Sequence, residues 1–286
     1  MTISVLMPTY NHQDYIIRAI QSVFNQQTSY NIELVIGNDC SPDKTDHVIR
    51  NFIQEHPALP IVYQKHEKNL GLLKNYQWLI NHSSGTYLAI LESDDYWIDS
   101  LKLEKQVSYL EKHKDTLMSC TGYQTEKKGK KRTISNHSDI FSSSPVNTYS
   151  YLLLRNIIKS PTVVFRKDSF LKHCDINKFI RKQYVTLDFP AWLTLANHGK
   201  IHYLSEETAF YSFLDTSLSN NKDLTKKLTF EDGIEFIRKE LIQQFGKGTH
   251  TSLGIRTREA IVQARYALHY KEYWRALSLF VRKLIL

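Results

Sequence analysis

The feature that most constrains this chain is an alternation running through its first 120 residues. Short β-branched or apolar runs, ISVLM (3–7), IELVIG (32–37), PIVYQ (60–64) and YLAIL (87–91), are separated by stretches of helical spacing at about 14–26, 43–55, 71–82 and 99–113. Short apolar runs without polar alternation suit strands covered on both faces. Strand and helix in turn imply a parallel α/β sheet with right-handed crossovers. Ser41 before PDKT, and Asp99 or Ser100 before LKLEKQ, are the expected helix caps, because short polar side chains can accept from the free amides of a first turn. In such sheets ligands lie beyond the carboxyl ends of the strands. Here those ends read PTYN (8–11), NDCS (38–41) and ESDD (92–95), so polar and acidic groups converge on one edge.

The remainder is less regular. EKKGKKR (126–132) reads as a hairpin turn or a loop, either solvated or in contact with a phosphate or an acceptor. A helix is expected over 148–158, a strand over 162–166, and a helix from 186 stopped by Gly199, with strands after it. From about 222 the tail is helical and basic, which suggests a main domain over 1–220 and a helical extension over 221–286. Within that tail, 258–286 alternates apolar and basic positions as two helices meeting near Lys271. Such a surface either rests on anionic lipid, giving peripheral membrane contact, or packs against the domain or a second subunit as a homodimer.

Charge and cysteines narrow the classes. Lys and Arg number 37 against 29 Asp and Glu, a net +8 that favours phosphorylated ligands, nucleic acid or an anionic membrane surface. Nucleic acid is not expected, since no aromatic–basic recognition motif is present. Cys40, Cys120 and Cys174 form no CxxC pair, so neither a disulfide framework nor a zinc site is supported. The start, MTISVLMPTYN, has no signal-peptide pattern, and no 18-residue window is uninterruptedly apolar. A cytoplasmic protein is the expectation. PTYNHQ after the first strand is not GxGxxG, which argues against a dinucleotide oxidoreductase.

Four groups carry candidate chemistry. Glu92, Asp94 and Asp95 crowd three carboxylates into four residues; at a strand end they either gather a hard divalent cation such as Mn²⁺ or Mg²⁺, or face water as a capping loop. Asp39 either closes an Asx turn or accepts from a base N–H or ribose hydroxyl. In NLGLLKNY, Gly71 opens a helix whose amino end favours anions, with Lys74 and Asn75 in its first turn. Asp188, before Pro190, either caps a helix or acts as a general base. Trp97 and Trp192 are candidates for stacking on an acceptor sugar, with core packing as the alternative.

Taken in order, PTYN, NDCS, NLGLLKN, LESDDYW and LDFPAWL resemble the family 2 glycosyltransferases of the GT-A fold over about residues 1–215, and in particular the bacterial enzymes that build surface polysaccharide or glycolipid chains. The resemblance implies an α/β fold with a central, mostly parallel sheet and a C-terminal helical extension. It also implies a nucleotide-sugar donor, a divalent metal, and inversion at the anomeric carbon during transfer to a glycan or lipid-linked acceptor, at the inner face of the cell membrane. Pro8, Thr9, Tyr10, Asn11, Asp39, Gly71, Lys74, Asn75 and Asp94 then fall at donor-binding positions, with Asp39 accepting from uracil. Asp94 and Asp95 fall at the metal, Asp188 at the base, and Trp97 and Trp192 towards the acceptor. Three departures stand out: Glu92 where an Asp is usual, Asn38 where a second Asp often stands, and SFLDTSLSN (212–220) where the family often carries Arg and His. A catalytically idle nucleotide- or glycan-binding protein on this scaffold, and a nucleotidyltransferase, are the alternatives.

Overall fold

In a computed structural model the chain is described at residues 1–127, 130–134, 138–141, 145–214 and 223–248, and at 254, 257, 260–264, 268, 274–278 and 281. The first half follows the expected alternation: β1 (Thr2–Thr9), α1 (Ile16–Phe24), β2 (Asn31–Asn38), α2 (Thr45–Glu55), β3 (Ile61–Lys65), α3 (Leu72–Asn81), β4 (Tyr87–Ile90), β5 (Tyr96–Trp97) and α4 (Lys102–Lys112). The second half holds β6 (Thr116–Lys127), β7 (Lys130–Ile134), α5 (Ser138–Phe141), α6 (Pro145–Leu154), a 3-10 turn (Ser160–Thr162), β8 (Val164–Arg166), α7 (Lys167–His173), α8 (Ile176–Arg181), α9 (Asp188–His198), β9 (Lys200–Tyr211) and α10 (Leu224–Phe245).

The strands form one sheet in the order β3-β2-β1-β4-β8-β6-β9-β5, with β7 paired to β6. The pairings among β1, β2, β3 and β4 are all parallel. Beyond β4 the sheet turns mixed: β8 runs antiparallel to both β4 and β6, and β9 parallel to β6. The described residues of the basic stretch at 126–132 lie in the β6–β7 hairpin, with Lys127 opposite Lys130; its tip, 128–129, lies outside the described residues.

Pleating divides the central strands between two cores. Ile3, Val5, Met7, Leu34, Ile36, Tyr87 and Ala89 face α1, α2 and α4. Leu6, Val35, Leu88 and Ile90 face α3, α6, α9 and α10. Each such buried aliphatic side chain contributes roughly 1.5–3 kcal/mol. A three-layer α/β/α body results, with the carboxyl ends of β1, β2 and β4 opening on one edge.

Local details differ from expectation. Ser41 does not cap α2, which starts at Thr45; Asp43 accepts from the Thr45 amide at 3.0 Å instead. Asp99 turns the chain one step before α4 by accepting from the Leu101 amide at 2.9 Å. Helix α6 ends at Leu154, short of the expected 158. The β-branched pair Ile157–Ile158 followed by Pro161 disfavours continued helix, and residues 155–159 leave it as an irregular segment. Helix α10 continues the core: Ile237 and Leu241 join the α9 side, and Arg238 donates from Nε to the Leu153 carbonyl at 2.7 Å while its guanidinium lies over Phe189.

Candidate active site

Two loops at the strand ends carry left-handed backbone at residues other than glycine, Asn11 (φ 58°) after β1 and Cys40 (φ 60°) after β2. Conformations of this kind persist where their surroundings over-determine them. Here the Asn11 amide donates to Ser41 Oγ at 3.0 Å, and the Ser41 amide donates to Asn38 Oδ1 at 3.0 Å. The departure at Asn38 is thereby accounted for structurally. Its other side-chain atom donates to Tyr63 Oη at 3.1 Å, and Tyr63 in turn donates to Asp46 at 2.6 Å. Asn38 is spent on holding the loop.

Asp39, also buried, accepts from the Leu70 amide at 2.6 Å and the Gly71 amide at 3.0 Å. It ties the end of β2 to the start of α3, where Gly71 sits at φ 82°. Beside this junction a cavity of about 570 Å³ opens between α3, α8 and α10, lined in part by Leu70, Gly71, Lys74, Tyr184, Val185 and Phe230. Lys74 is exposed at it. Asn75 points the other way: its amide nitrogen donates to the Gly37 carbonyl at 2.8 Å and its oxygen meets His66 Nε2 at 3.0 Å. Asn75 is therefore a packing residue, and a ligand at the strand ends does not meet its side chain. Of the PTYN residues, Pro8 and Thr9 are buried, Thr9 with an unpartnered hydroxyl, and Tyr10 is 45% exposed.

The acidic turn lies at the end of β4. One carboxylate oxygen from each of Glu92, Asp94 and Asp95 falls within 4.8 Å of the others. Asp94 is 8% and Asp95 1% exposed, so these are not water-facing surface acids. Asp95 Oδ1 accepts from the Ser212 amide at 2.7 Å, and Ser212 Oγ donates to the Asp94 carbonyl at 2.7 Å, so the end of β9 clamps the turn. Asp95 Oδ2 is buried without a partner. Tyr76 donates to Glu92 at 3.0 Å, and His12 meets Ser93 Oγ at 2.7 Å. Burial first, then mutual repulsion with Asp94 and Asp188, pushes the Glu92 carboxyl up to about 8. Asp95 is raised by burial and then by Asp94 and Glu92; Asp94 is raised by burial against the pull of His12. Buried oxygen ligands with one atom unsatisfied fit a hard divalent cation, which would relieve all three shifts.

Asp188 opens α9 with defined partners. Its Oδ1 accepts from Thr186 Oγ1 and from the Phe189 amide, and its Oδ2 from Asn156 Nδ2 at 2.9 Å. It lies close enough to Glu92 to raise that carboxyl. The base candidate and the metal candidates thus share one site. Trp97 and Trp192 do not reach it: they are 5% and 1% exposed. Trp97 donates to the Pro161 carbonyl at 2.8 Å, and Trp192 packs on Phe165. Large apolar rings at the layer interfaces are drawn to the core, and neither has a face open to an acceptor.

Sequence reasoning missed Asn156, Lys159, Tyr76, His12 and Ser212. The first two sit in the segment expected to end or follow a helix, and only NIIKSP, β-branched residues before a proline, hinted at a break. Part of the loop noted for its lack of Arg and His, 215–222, lies outside the described residues, as does most of 258–286. Among the described residues no helix is long and apolar enough to cross a membrane.

A half-parallel α/β sheet whose strand ends gather a cation-type acid cluster, a second carboxylate and a cavity defines the GT-A class of architecture. The chain belongs to glycosyl transferase family 2, whose model matches residues 4–173, more than half of its length. Among curated relatives, an uncharacterised protein of Mycobacterium tuberculosis is 30% identical over 73% of this chain, which spans 58% of that relative's length. The putative teichuronic acid biosynthesis glycosyltransferase TuaG of Bacillus subtilis is 28% identical over 80% of this chain and 85% of its own. The Escherichia coli UDP-Glc:alpha-D-GlcNAc-diphosphoundecaprenol beta-1,3-glucosyltransferase WfgD is 26% identical over 89% and 94%. Among solved structures, S. aureus TarS 1–349 with UDP-GlcNAc superposes at a TM-score of 0.63 and 16% identity, covering 99% of this chain and 82% of that one. Mannosyltransferase PcManGT of Pyrobaculum calidifontis, with GDP-Man and Mn²⁺, superposes at 0.62 and 13%, covering 99% and 74%. The structural likeness is one of fold.

Proposed function

We propose that the chain is an inverting, metal-dependent glycosyltransferase. It moves a sugar from a nucleotide-diphosphate donor, a UDP-sugar, to a hydroxyl of a glycan or lipid-linked acceptor in bacterial surface polysaccharide synthesis, at the cytoplasmic face of the membrane. The observation that carries this reading is the buried acid turn with the free Asp95 Oδ2, set near a separately held Asp188. The names of TuaG and WfgD, and the donors held by TarS and PcManGT, support the direction of the reading.

Asp94 and Asp95, with Glu92 beside them, are the residues to hold Mn²⁺ or Mg²⁺, which when bound supplies positive charge against the donor's diphosphate. Asp39 and the start of α3, with Thr9 and Lys74, form the wall on which the nucleotide rests. Asp188 accepts the proton of the attacking hydroxyl. Its Oδ2 is the oxygen open to that proton, having one donor where Oδ1 has two. Asn156 and Thr186 fix the carboxylate so that attack comes from the face opposite the leaving group, with no covalent enzyme intermediate.

The test is nucleotide release by purified protein from UDP-glucose, UDP-GlcNAc and GDP-mannose, with Mn²⁺ and lipid extracts as acceptor source. Asp188→Asn is expected to lower release by roughly 10²–10⁴-fold with donor binding unchanged. Tight UDP binding without transfer to any acceptor would leave the idle binding protein as the better reading.

A further inference from the structure

Lys159 is the lysine that, among the described residues, lies in the field of all three candidate acids Asp188, Asp95 and Glu92, and the donor site gives it no task. It lies just before the 3-10 turn, half-buried, and feels Asp188, Asp95 and Glu92 together. Its ammonium lies 5.0 Å from the ring centre of Tyr211, a cation–π contact that holds it at the mouth of the acid turn. Among the described residues no carboxylate lies within the 4.0 Å of an ion pair from it. A half-buried ammonium near acids but in ion-pair contact with none of them keeps its donors available to a bound anion.

Its position is built. The Lys159 carbonyl accepts from the Thr162 amide at 3.0 Å and from Thr162 Oγ1 at 2.7 Å. Trp97 holds the Pro161 carbonyl at 2.8 Å, and Gln106 holds that of Thr162 at 3.0 Å. Gln106 is itself fixed by the fully buried Lys102 at 2.6 Å. This polar network inside the core has no catalytic purpose of its own; what it achieves is a rigid turn carrying Lys159. The stretch after Ser212, FLDTSLSN (213–220), contains no basic residue that could serve instead.

We propose that Lys159 is the protein's own cationic contact for the β-phosphate of the donor. This rests on the glycosyltransferase reading given above. When the bond between the anomeric carbon and the phosphate oxygen breaks, its electron pair passes to that oxygen. The acceptor proton goes to Asp188, and Lys159 keeps its proton and offsets the new charge on the departing diphosphate.

The experiment compares binding of UDP and UMP, each with Mg²⁺, to wild type, Lys159→Met and Lys159→Arg by calorimetry. Lys159→Met is expected to weaken UDP binding roughly 10-fold or more while UMP binding stays within about two-fold, because a charge-assisted hydrogen bond is lost. Lys159→Arg should retain most of the preference for UDP. If Lys159→Met keeps the wild-type ratio of UDP to UMP affinity, the lysine only balances the acids and the inference falls. If wild type itself binds neither nucleotide, the glycosyltransferase reading falls with it. Lys159→Gln, read by the same ratio, replaces the Met variant should that one not fold.

Discussion

Replacing Glu92 with Gln isolates the electrostatic strain stored in the acid turn. Gln keeps the size of the side chain and can still accept from Tyr76, but it cannot ionise. In the folded protein the Glu92 carboxyl is raised from 4.5 to about 8. A raised carboxyl contributes stability that is fully present below the unfolded value and is lost as pH climbs through the folded one. Between about 4.5 and 8 the metal-free wild type therefore loses stability with rising pH, at about 1.4 kcal/mol per pH unit while one extra proton is held. Complete expression would total roughly 4–5 kcal/mol. Sharing of protons with Asp94 and Asp95 spreads the effect, and about 2 kcal/mol is the expected difference between wild type and Glu92→Gln at pH 8. The assay is urea unfolding of both proteins at pH 5, 6.5 and 8, with EDTA and with Mn²⁺. In EDTA the variant should match wild type at pH 5 and exceed it at pH 8; with Mn²⁺ the wild-type loss should disappear. Parallel pH profiles for the two proteins in EDTA would refute the reasoning.

Other outcomes follow from single contacts. Asp95→Ala removes the buried ligand with the free oxygen, and should lower Mg²⁺-dependent UDP binding roughly 100-fold in calorimetry. Gly37→Ala would place a methyl group 2.1 Å from Asn75 Oδ1, so a loss of about 2–3 kcal/mol is expected in urea unfolding. Trp97→Phe leaves the Pro161 carbonyl without its donor, costing about 2 kcal/mol, a fall in Tm of roughly 5 °C in a thermal scan.

The half of the fold that was legible in the sequence is the half built from local repeats. Strands β1, β2 and β4 are largely apolar runs because helices cover both faces, and the helices between them carry the matching period. Strand β6 was hidden because its buried positions include Ser119 and Thr121, polar groups acceptable there only through partners distant in sequence. Ser119 meets His202, and Thr121 meets Thr208 at 2.7 Å. The acid turn was legible from charge crowding at a strand end. The direction of a side chain was not: Asn75 sits in the right turn of α3 yet faces Gly37, and Trp97 follows the acids yet points into the core. Lys159 was out of reach for a further reason. Its position depends on where an irregular segment ends up, and irregular segments have no period to read.

The packing of α10 onto the body has a consequence for how the protein is made. Ile237 and Leu241 complete the core behind α9, and Gly233 allows close approach to Val185, three residues before Asp188. The helix that presents Asp188 thus lacks one wall until residues 224–245 have left the ribosome. Domains fold as their chain emerges, so β1 to β4 and their helices can assemble before the half bearing Asp188. The packed setting of Asp188 therefore depends on a helix that is synthesised after it.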